Sequence, residues 1–191
     1  MRFLFNLSLA SAIALVIGLG LTYLAIEHGR LLGVVHSGEW TAWPQAGRFD
    51  ADPYTRAKLT RTGEIPLGAG EGLAFTTSTD AEGVPLDPLC EYIVAGRTPA
   101  ARLWTLTVYS ATGQLLATDL GRTGFSSREV VRRPDGSFEI VLAPMARPGN
   151  WIQTAPGGKI MLALRVYDTP LTTGADFTDL TLPHIIRGRC R

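Results

Sequence analysis

The sequence predicts a mainly β protein: an antiparallel β-sandwich or jelly-roll-like domain behind a single N-terminal transmembrane helix and a short linker helix. Three observations support this fold class. An uncharged apolar stretch lies close to the N-terminus, and short β-rich segments separated by turn residues follow it. No long helical pattern interrupts those segments. We expect an anchor over residues 1–30, a juxtamembrane linker over 31–70 and the β-sandwich over 71–191.

The N-terminal segment predicts a membrane anchor. The stretch from Phe3 to Ile26 contains no charged residue. As a helix rising about 1.5 Å per residue it would extend roughly 36 Å, which exceeds the hydrocarbon core of about 30 Å. A cleaved signal peptide is the alternative. We favour the anchor, because the small-residue site at 10–12 is followed by more apolar sequence.

Flanking charges predict the orientation of this anchor. Arg2 precedes the stretch, whereas Glu27 and Arg30 nearly cancel after it. The positive-inside rule then predicts a single-pass inner-membrane protein with its C-terminal domain in the periplasm. Cys90 and Cys190 fit this compartment, because an even pair of cysteines in an exported domain readily forms a disulfide. Two unrelated buried thiols are the alternative.

One helix is predicted between the anchor and the β-rich region. Asp52 suits the N-cap, the following proline suits the first helical position, and Gly63 would end the helix, which gives Pro53–Thr62. Trp40 and Trp43 precede this helix. They either anchor at the membrane interface or pack under the helix, and we favour packing.

The rest of the chain reads as short strands separated by turns. The Pro-Asp-Gly sequence at 134–136 predicts a hairpin turn between two β-rich runs, and Trp151 is expected in a loop. The tail, residues 179–191, has little periodicity, and we expect it to pack irregularly on the domain through Ile185 and Ile186. The predicted strands lie within 73–86, 90–96, 101–110, 111–119 (a return strand), 128–144 (the hairpin) and 159–168.

Three motifs follow one another in an order that resembles a known family. They are LWTLTVYSATGQLL, RPDGSFEIVLAP and NWIQTAPGGKIMLALRVYD. In this order they resemble the bacterial domain-of-unknown-function family twelve-fourteen, over about Leu73 to Leu171. The chain departs from the family pattern at Ser110, where aspartate is usual, and at Arg133-Pro134, where the turn usually carries asparagine.

The resemblance implies a jelly-roll-like β-sandwich and no established reaction. In longer relatives the domain follows a second domain of unknown function, family twelve fifty-four. We expect this chain to be the short, membrane-anchored version of the family, without that second domain.

The sequence carries no motif for a metal, a cofactor or a nucleophile. The three histidines lie far apart, so we expect no metal and no cofactor, and no Gly-x-Ser-x-Gly motif of a serine hydrolase is present. Glu129 and Glu139 flank the predicted hairpin and would suit glycoside hydrolysis if they faced each other, but we favour a solvated strand face for both. A formal net charge of +1 also argues against a nucleic-acid partner.

Alternation along two predicted strands separates a core face from a semi-polar face, because neighbouring strand residues point to opposite sides. The semi-polar face predicts a shallow surface that binds a ligand or packs against the linker helix. The expected core residues are Trp104, Leu106, Val108, Ile160, Leu162, Leu164 and Val166. The expected semi-polar residues are Thr105, Thr107, Tyr109, Lys159, Met161, Ala163, Arg165 and Tyr167.

Arg165 is the strongest candidate for a ligand contact. Its guanidinium presents donors suited to a carboxylate or phosphate, and flanking tyrosines can stack and hydrogen-bond. The alternative, which we favour, is a structural ion pair with an internal acid: Asp168, Asp119 or Glu91. The candidate ligand-binding residues are Arg165, Tyr109, Tyr167, Thr107, Thr105 and Trp151.

Two functions remain open. The favoured one is a non-enzymatic module of the cell envelope, held at the membrane by its helix, that binds an envelope ligand or a partner protein. The alternative is an envelope enzyme, a hydrolase acting on sugars or esters. Trp151 is interpreted as a plug over one end of the sandwich rather than a sugar platform, and Asn150 as a cap for loop backbone.

Overall fold

The computed structural model describes residues 2–28, 33–62, 65–116, 118–173, 177 and 180–190. Within these ranges the chain is mainly β, as predicted, with two helices, ten strands and a short 3-10 turn at Pro170–Thr173. The helices are α1 (Arg2–His28) and α2 (Pro53–Thr62). The strands are β1 (Val35–Ser37), β2 (Trp40–Ala42), β3 (Gly72–Thr77), β4 (Cys90–Gly96), β5 (Leu103–Ser110), β6 (Gly124–Ser126), β7 (Phe138–Ala143), β8 (Asn150–Gln153), β9 (Ile160–Tyr167) and β10 (His184–Cys190).

The strands form two sheets that pack as a sandwich. The larger sheet has the order β1-β2-β3-β9-β5-β6, and the smaller has the order β10-β4-β7-β8. Neighbouring strands are antiparallel except for β7 and β8, which are parallel. The prediction of an antiparallel sandwich is therefore confirmed, with one parallel pair that the sequence did not indicate.

The core lies between the two sheets and follows the predicted alternation. Every residue expected on the core face of β5 and β9 is buried. The ring of Trp104 in β5 lies 4.7 Å from that of Phe138 in β7, so the two sheets are in direct contact. Burying each large side chain of this kind stabilises the fold by about 1.5–3 kcal/mol.

The first two strands come from the segment expected to be a linker. β1 and β2 form a hairpin that adds to the edge of β3. Trp40 is fully buried in the sandwich core, and its indole N–H donates to the carbonyl of Pro183 at 2.7 Å. Trp40 is therefore part of the sandwich core, a position that neither the interface alternative nor the packing alternative anticipated. Trp43 does lie beside the helix, with the Lys58 ammonium 3.8 Å from its ring centre.

The linker helix α2 has its predicted bounds. Asp52 caps it, because one carboxylate oxygen accepts the backbone N–H groups of Tyr54 at 2.9 Å and Thr55 at 3.1 Å. These are donors that the first helical turn leaves without a partner inside the helix. The predicted stop at Gly63 lies outside the described residues.

The prediction of a return strand within 111–119 is wrong, because the residues that the structure describes there form no strand. A turn does follow β5, with Gly113 N–H donating to the Ser110 carbonyl at 3.0 Å. Beyond this turn the segment makes only the bridge between Tyr109 and Leu115. The edge of β5 that faces away from β9 pairs instead with β6. A return strand would have needed that same edge.

The predicted hairpin at 128–144 is correct in its turn and wrong in its first arm. The turn closes where Arg133 N–H donates to the Ser137 carbonyl at 2.8 Å. The arm before it contributes one bridge, Arg132 to Phe138, and no strand. β7 has β4 on one edge and β8 on the other, so no edge remains for a third strand.

Two edge strands replace an expected loop and an expected irregular tail. Trp151 lies in β8, and residues 184–190 form β10 along β4. β10 is largely exposed at the edge of its sheet, a position that suits its two arginines, Arg187 and Arg189. Ile185 is fully buried, whereas Ile186 is 49% exposed.

Helix α1 is the only helix in the described part of the chain that is long and apolar enough to cross a membrane, with a mean hydropathy of 2.2 over Arg2–Glu27. None of this stretch is buried against the rest of the protein. An N-terminal apolar helix of this kind fits a single-pass anchor, and it also fits a signal peptide.

The predicted disulfide is confirmed, since Cys90 and Cys190 are bonded. The two cysteines are register partners at one end of the β4–β10 pair. The bond joins the first residue of an interior strand to the last described residue of the edge strand. It therefore resists fraying of β10.

We expect the Cys90→Ser, Cys190→Ser double variant to be less stable than the wild type. The bridge joins residues 100 positions apart. In the chain-entropy model, closing a loop of about 100 residues contributes up to about 4.7 kcal/mol. Urea denaturation with and without dithiothreitol measures this contribution. Reductant should destabilise the wild type and leave the double variant unchanged, and equal stability of both oxidised proteins would contradict the prediction.

An ion pair on the smaller sheet gives a second test of stability. Arg147, in the loop before β8, binds the carboxylate of Glu91 in β4 at 2.7 Å. The hydrogen bond from Arg147 holds the pKa of Glu91 below its usual range. A carboxyl group with a lowered pKa stabilises the folded state above its unfolded pKa, about 4.3 for glutamate, and this contribution is lost as the pH falls through the folded value.

Glu91→Gln should therefore lower the free energy of unfolding at pH 7, and the difference from the wild type should shrink towards pH 3. The pair is partly exposed, so the effect at pH 7 should be about 1 kcal/mol or less. Urea denaturation at both pH values measures it. Glu82→Gln, which alters an exposed acid in a turn, is the control and should have little effect. A Glu91→Gln penalty that grows on acidification would contradict the assignment.

Candidate functional site

The candidate site is the face of the larger sheet that points away from the core, which we call the outer face. The expected alternation holds, because the semi-polar residues of β5 and β9 are half-buried while their neighbours are buried. Ala163 is the exception, with an exposure of 1%. The outer face consists of Ala74, Thr76, Thr105, Thr107, Tyr109, Met161, Ala163, Arg165 and Tyr167.

The register of three strands brings most of the predicted site residues together. Arg165 on β9 lies between Ala74 of β3 and Thr105 of β5. One row along, Ala163 lies between Thr76 and Thr107, and the next row pairs Met161 with Tyr109. In the other direction Tyr167 lies between Gly72 and Leu103. Five of the six candidate residues therefore lie on this face.

Arg165 crosses the outer face diagonally to reach Tyr109. Its Nη1 atom donates to the tyrosine hydroxyl at 2.9 Å, and its Cζ atom lies 5.3 Å from the centre of the ring. The row between them holds Ala163, a small side chain that lets the long arginine lie along the sheet. This crossing accounts for the burial of Ala163. Hydrogen bonding and cation–π attraction together fix the guanidinium in place.

The acids considered as structural partners for Arg165 do not pair with it. Asp168 binds Arg102 at 2.9 Å, and Glu91 binds Arg147 on the smaller sheet. Asp119 is exposed and forms no ion pair with Arg165. Among the described residues, no carboxylate lies within 4 Å of this guanidinium. The partner that the described residues offer is the Tyr109 phenol, not a carboxylate.

A depression of about 280 Å³ borders the outer face on one side. Its floor is formed by β1, β2 and β3, with His36 and Thr41 joined by a 3.2 Å hydrogen bond. Trp43 and the Lys58 ammonium of α2 contribute to its walls. Ala74 belongs both to this floor and to the row that holds Arg165, so the depression is continuous with the outer face.

A second, more open depression of about 540 Å³ borders the other side, with Thr105 and Thr107 at its base. Glu129 and Arg122 lie on its rim. The Ser126 N–H donates to the Glu129 carboxylate at 2.9 Å, and Arg122 lies 3.4 Å from it. These contacts, with the Ser126 backbone first, hold the pKa of Glu129 below its usual range. Glu129 is therefore a charged, structurally engaged carboxylate.

The two glutamates considered as a hydrolytic pair are engaged separately. Glu129 binds the turn after β6, as described above. Glu139 lies on β7 in the smaller sheet and forms an ion pair with Arg133. Each carboxylate thus has its own arginine, and the structure does not arrange them as facing acid and base.

Trp151 does not belong to the outer face. It lies on β8 at the edge of the smaller sheet, and its indole N–H donates to the Ala143 carbonyl at 3.0 Å. Its neighbour Asn150 caps loop backbone as interpreted from the sequence. The Asn150 side chain accepts the Val131 N–H and donates to the Val131 and Glu139 carbonyls, all at 2.8 Å.

Sequence reasoning missed the residues that segment 31–70 contributes to the site. His36, Thr41, Trp43 and Lys58 all come from it. A signal was present, because VHSGEWTA places a Ser-Gly-Glu turn between β-type residues. The expectation of a juxtamembrane linker obscured that hairpin.

Solved structures resemble this fold. One is the VPA0106 protein from Vibrio parahaemolyticus, with a TM-score of 0.58 and 22% sequence identity over 73% of this chain and 36% of that chain. Another is an uncharacterized protein from Burkholderia cenocepacia, with a TM-score of 0.43 and 24% identity over 77% of this chain and 46% of that chain. The first likeness supports the fold alone. The chain spans less than half the length of either protein.

A comparison with curated proteins finds no match. A family model does match, over residues 71–171, from just before β3 to just after β9. That range is more than half of the chain and contains the central strands of both sheets. The chain therefore belongs to the family described as Protein of unknown function (DUF1214).

Proposed function

We propose that the protein is a membrane-anchored binding module of the cell envelope, and that its outer face binds an anionic ligand. One observation carries the proposal. Arg165 is a half-buried guanidinium whose partner among the described residues is Tyr109 rather than a carboxylate. A structural arginine in such a position is normally paired with an acid, because an uncompensated charge is costly to desolvate.

The donor geometry of Arg165 suits a carboxylate or a phosphate. A guanidinium has five N–H donors in a planar fork, and the Tyr109 hydroxyl takes one of them. A bidentate anion would use two more and would compensate the charge. Thr105, opposite Arg165, and Thr107 one row along offer hydroxyl groups beside that position.

The shape of the outer face suits an elongated ligand. From β2 to β6 the sheet spans four strand spacings of about 4.8 Å, or roughly 19 Å, with a depression at each end. Lys58 and Arg122 line these depressions, and Arg165 lies between them. Glu129 is the one acid among the residues that line the two depressions. The charge balance of the face therefore favours an anion.

Two features support an envelope location outside the cytoplasm. Helix α1 has the length and hydropathy of a membrane span, and the charge before it favours a cytoplasmic N-terminus. The Cys90–Cys190 disulfide suits an oxidising compartment such as the periplasm. Together they support a sandwich domain held at the periplasmic side of the inner membrane.

Reporter fusions test the location. Alkaline phosphatase fused after Arg191 should be active, because it folds only where its disulfides form. The same fusion in a chain lacking residues 2–28 should be inactive, which ties export to α1. A fluorescent protein that matures only in the cytoplasm, fused at the same position, should stay dark. Bright fluorescence with an inactive phosphatase would overturn the periplasmic assignment.

Binding of defined anions tests the site. We expect a glucuronic acid trimer or glycerol 3-phosphate to shift the NMR signals of the Arg165 side chain and the Tyr109 ring, and neutral maltotriose to leave them unchanged. Arg165→Gln should weaken anion binding about tenfold or more, since a hydrogen bond to a charged group contributes about 1.5–3 kcal/mol. The same variant should stay folded, because no buried carboxylate loses its partner.

Arg97→Gln is the matched control for this substitution. Arg97 is an exposed arginine at the end of β4, on the smaller sheet, and contacts Asp135. The Arg97→Gln variant should bind the anionic probes with the affinity of the wild type. An Arg165→Gln protein with unchanged affinity, or a wild type that responds to neither anion, would overturn the proposed ligand class. A large fall in melting temperature for Arg165→Gln would instead indicate a structural role.

A further inference from the structure

A cluster of exposed apolar and basic residues surrounds helix α2 close to the end of α1. Phe49 is 94% exposed, Tyr54 41% and Ile65 91%. Phe49 and Ile65 are the two most exposed large apolar side chains in the described part of the chain, and with Tyr54 they lie within 17 positions of one another. With Arg56 and Arg61 of α2, which are also exposed, these residues define what we call the docking surface.

The docking surface lies at the level where the apolar part of α1 ends. Arg61, in the last turn of α2, binds the carboxylate of Glu27 at 3.2 Å. Its Cζ atom also lies 5.5 Å from the ring centre of Tyr23, one helical turn earlier in α1. If α1 crosses a bilayer, Glu27 is the first charged residue after the span, so the C-terminal end of α2 lies at the depth of the lipid headgroups.

The charges of α2 suit that depth. The helix contains Arg56, Lys58 and Arg61 and no acid. Of the acids described nearby, Glu27 pairs with Arg61, Asp50 with Arg48 at 2.8 Å, and Asp52 caps the helix. From Arg48 to Arg61 the sequence still holds four basic residues against two acids. Exposed aromatic and aliphatic side chains beside basic ones are typical of segments that lie in a membrane interface and contact anionic lipids.

Phe49 is held next to this basic helix by a specific contact. The Arg56 guanidinium donates to the Phe49 carbonyl at 2.7 Å. The backbone of the loop is thereby fixed to α2 while the phenyl ring extends into solvent. An aromatic ring held in this way and left uncovered by the chain is suited to insertion between lipid headgroups.

We propose that the docking surface binds the headgroup layer of an anionic bilayer beside α1, as a second membrane contact that orients the sandwich domain. This inference rests on the proposed membrane anchor. A contact of this kind places the depression of about 280 Å³, the smaller depression, on the membrane side of the outer face, together with Lys58 and Trp43, which line it. The domain would then lie against the bilayer instead of moving freely on a tether.

Tryptophan quenching in nanodiscs tests the proposal with the full chain. Phe49→Trp and Ile65→Trp each add one exposed indole, and wild-type emission supplies the background of the four native tryptophans. The proteins are placed in nanodiscs of brominated phosphatidylcholine, with or without phosphatidylglycerol. Val131→Trp is the matched control, because Val131 is 69% exposed in the loop before the 134–136 turn, outside the docking surface.

The expected result is loss of most of the added emission for Phe49→Trp and Ile65→Trp, greater with phosphatidylglycerol, and no loss for Val131→Trp. Incorporation of the chain without excess quenching at positions 49 and 65 would overturn the docking surface and leave the anchor intact. Equal quenching in both lipid mixtures would overturn the preference for anionic lipid. Failure of the full chain to enter nanodiscs would overturn the anchor itself, and the docking surface with it.

Discussion

The pairing of β9 with both β3 and β5 is the constraint on which the rest of the structure depends. These two ladders give β9 its central place in the larger sheet and fix which of its side chains enter the core. Leu162, Leu164 and Val166 are buried on one side, so Arg165 must lie on the other. A shift of one residue in either ladder would exchange the two sets and bury a guanidinium in the core. The core and the candidate site are therefore specified by the same register.

The two ends of the sandwich domain are joined across the two sheets. The Trp40 indole of β2 donates to Pro183, and Glu39, in the turn before β2, accepts the Ile185 N–H of β10 at 2.7 Å. The β1–β2 hairpin, which forms the floor of the smaller depression, is thus attached to the C-terminal strand. That strand is in turn bonded to β4 by the disulfide. Part of the candidate site therefore depends on the strand pairing at the far end of the chain, and loss of β10 would loosen it.

How far the sequence predicts the structure depends on whether a segment is interior or at an edge. In β5 and β9 buried apolar residues alternate with half-buried ones, Ala163 excepted, because each strand has the core on one side. Their faces could therefore be assigned correctly. β8 and β10 are edge strands whose sequences do not alternate between apolar and polar residues, although the burial of β8 does alternate. The partner of Arg165 was missed for another reason. Tyr109 lies two rows away on a neighbouring strand, and only the register shows that a long side chain can reach it across Ala163.

Helix α2 connects the two surfaces that the structure offers for binding. Lys58 contributes to the wall of the smaller depression, whereas Arg56 and Arg61 are exposed and belong to the docking surface. Residues on one helix are fixed relative to each other, so a movement of α2 towards the bilayer would also move Lys58 at the wall of that depression. Asp52 caps the N-terminal end of this helix. The Arg61–Glu27 ion pair joins its C-terminal end to α1. Anion binding at the outer face and contact with lipid would then be linked through the position of α2.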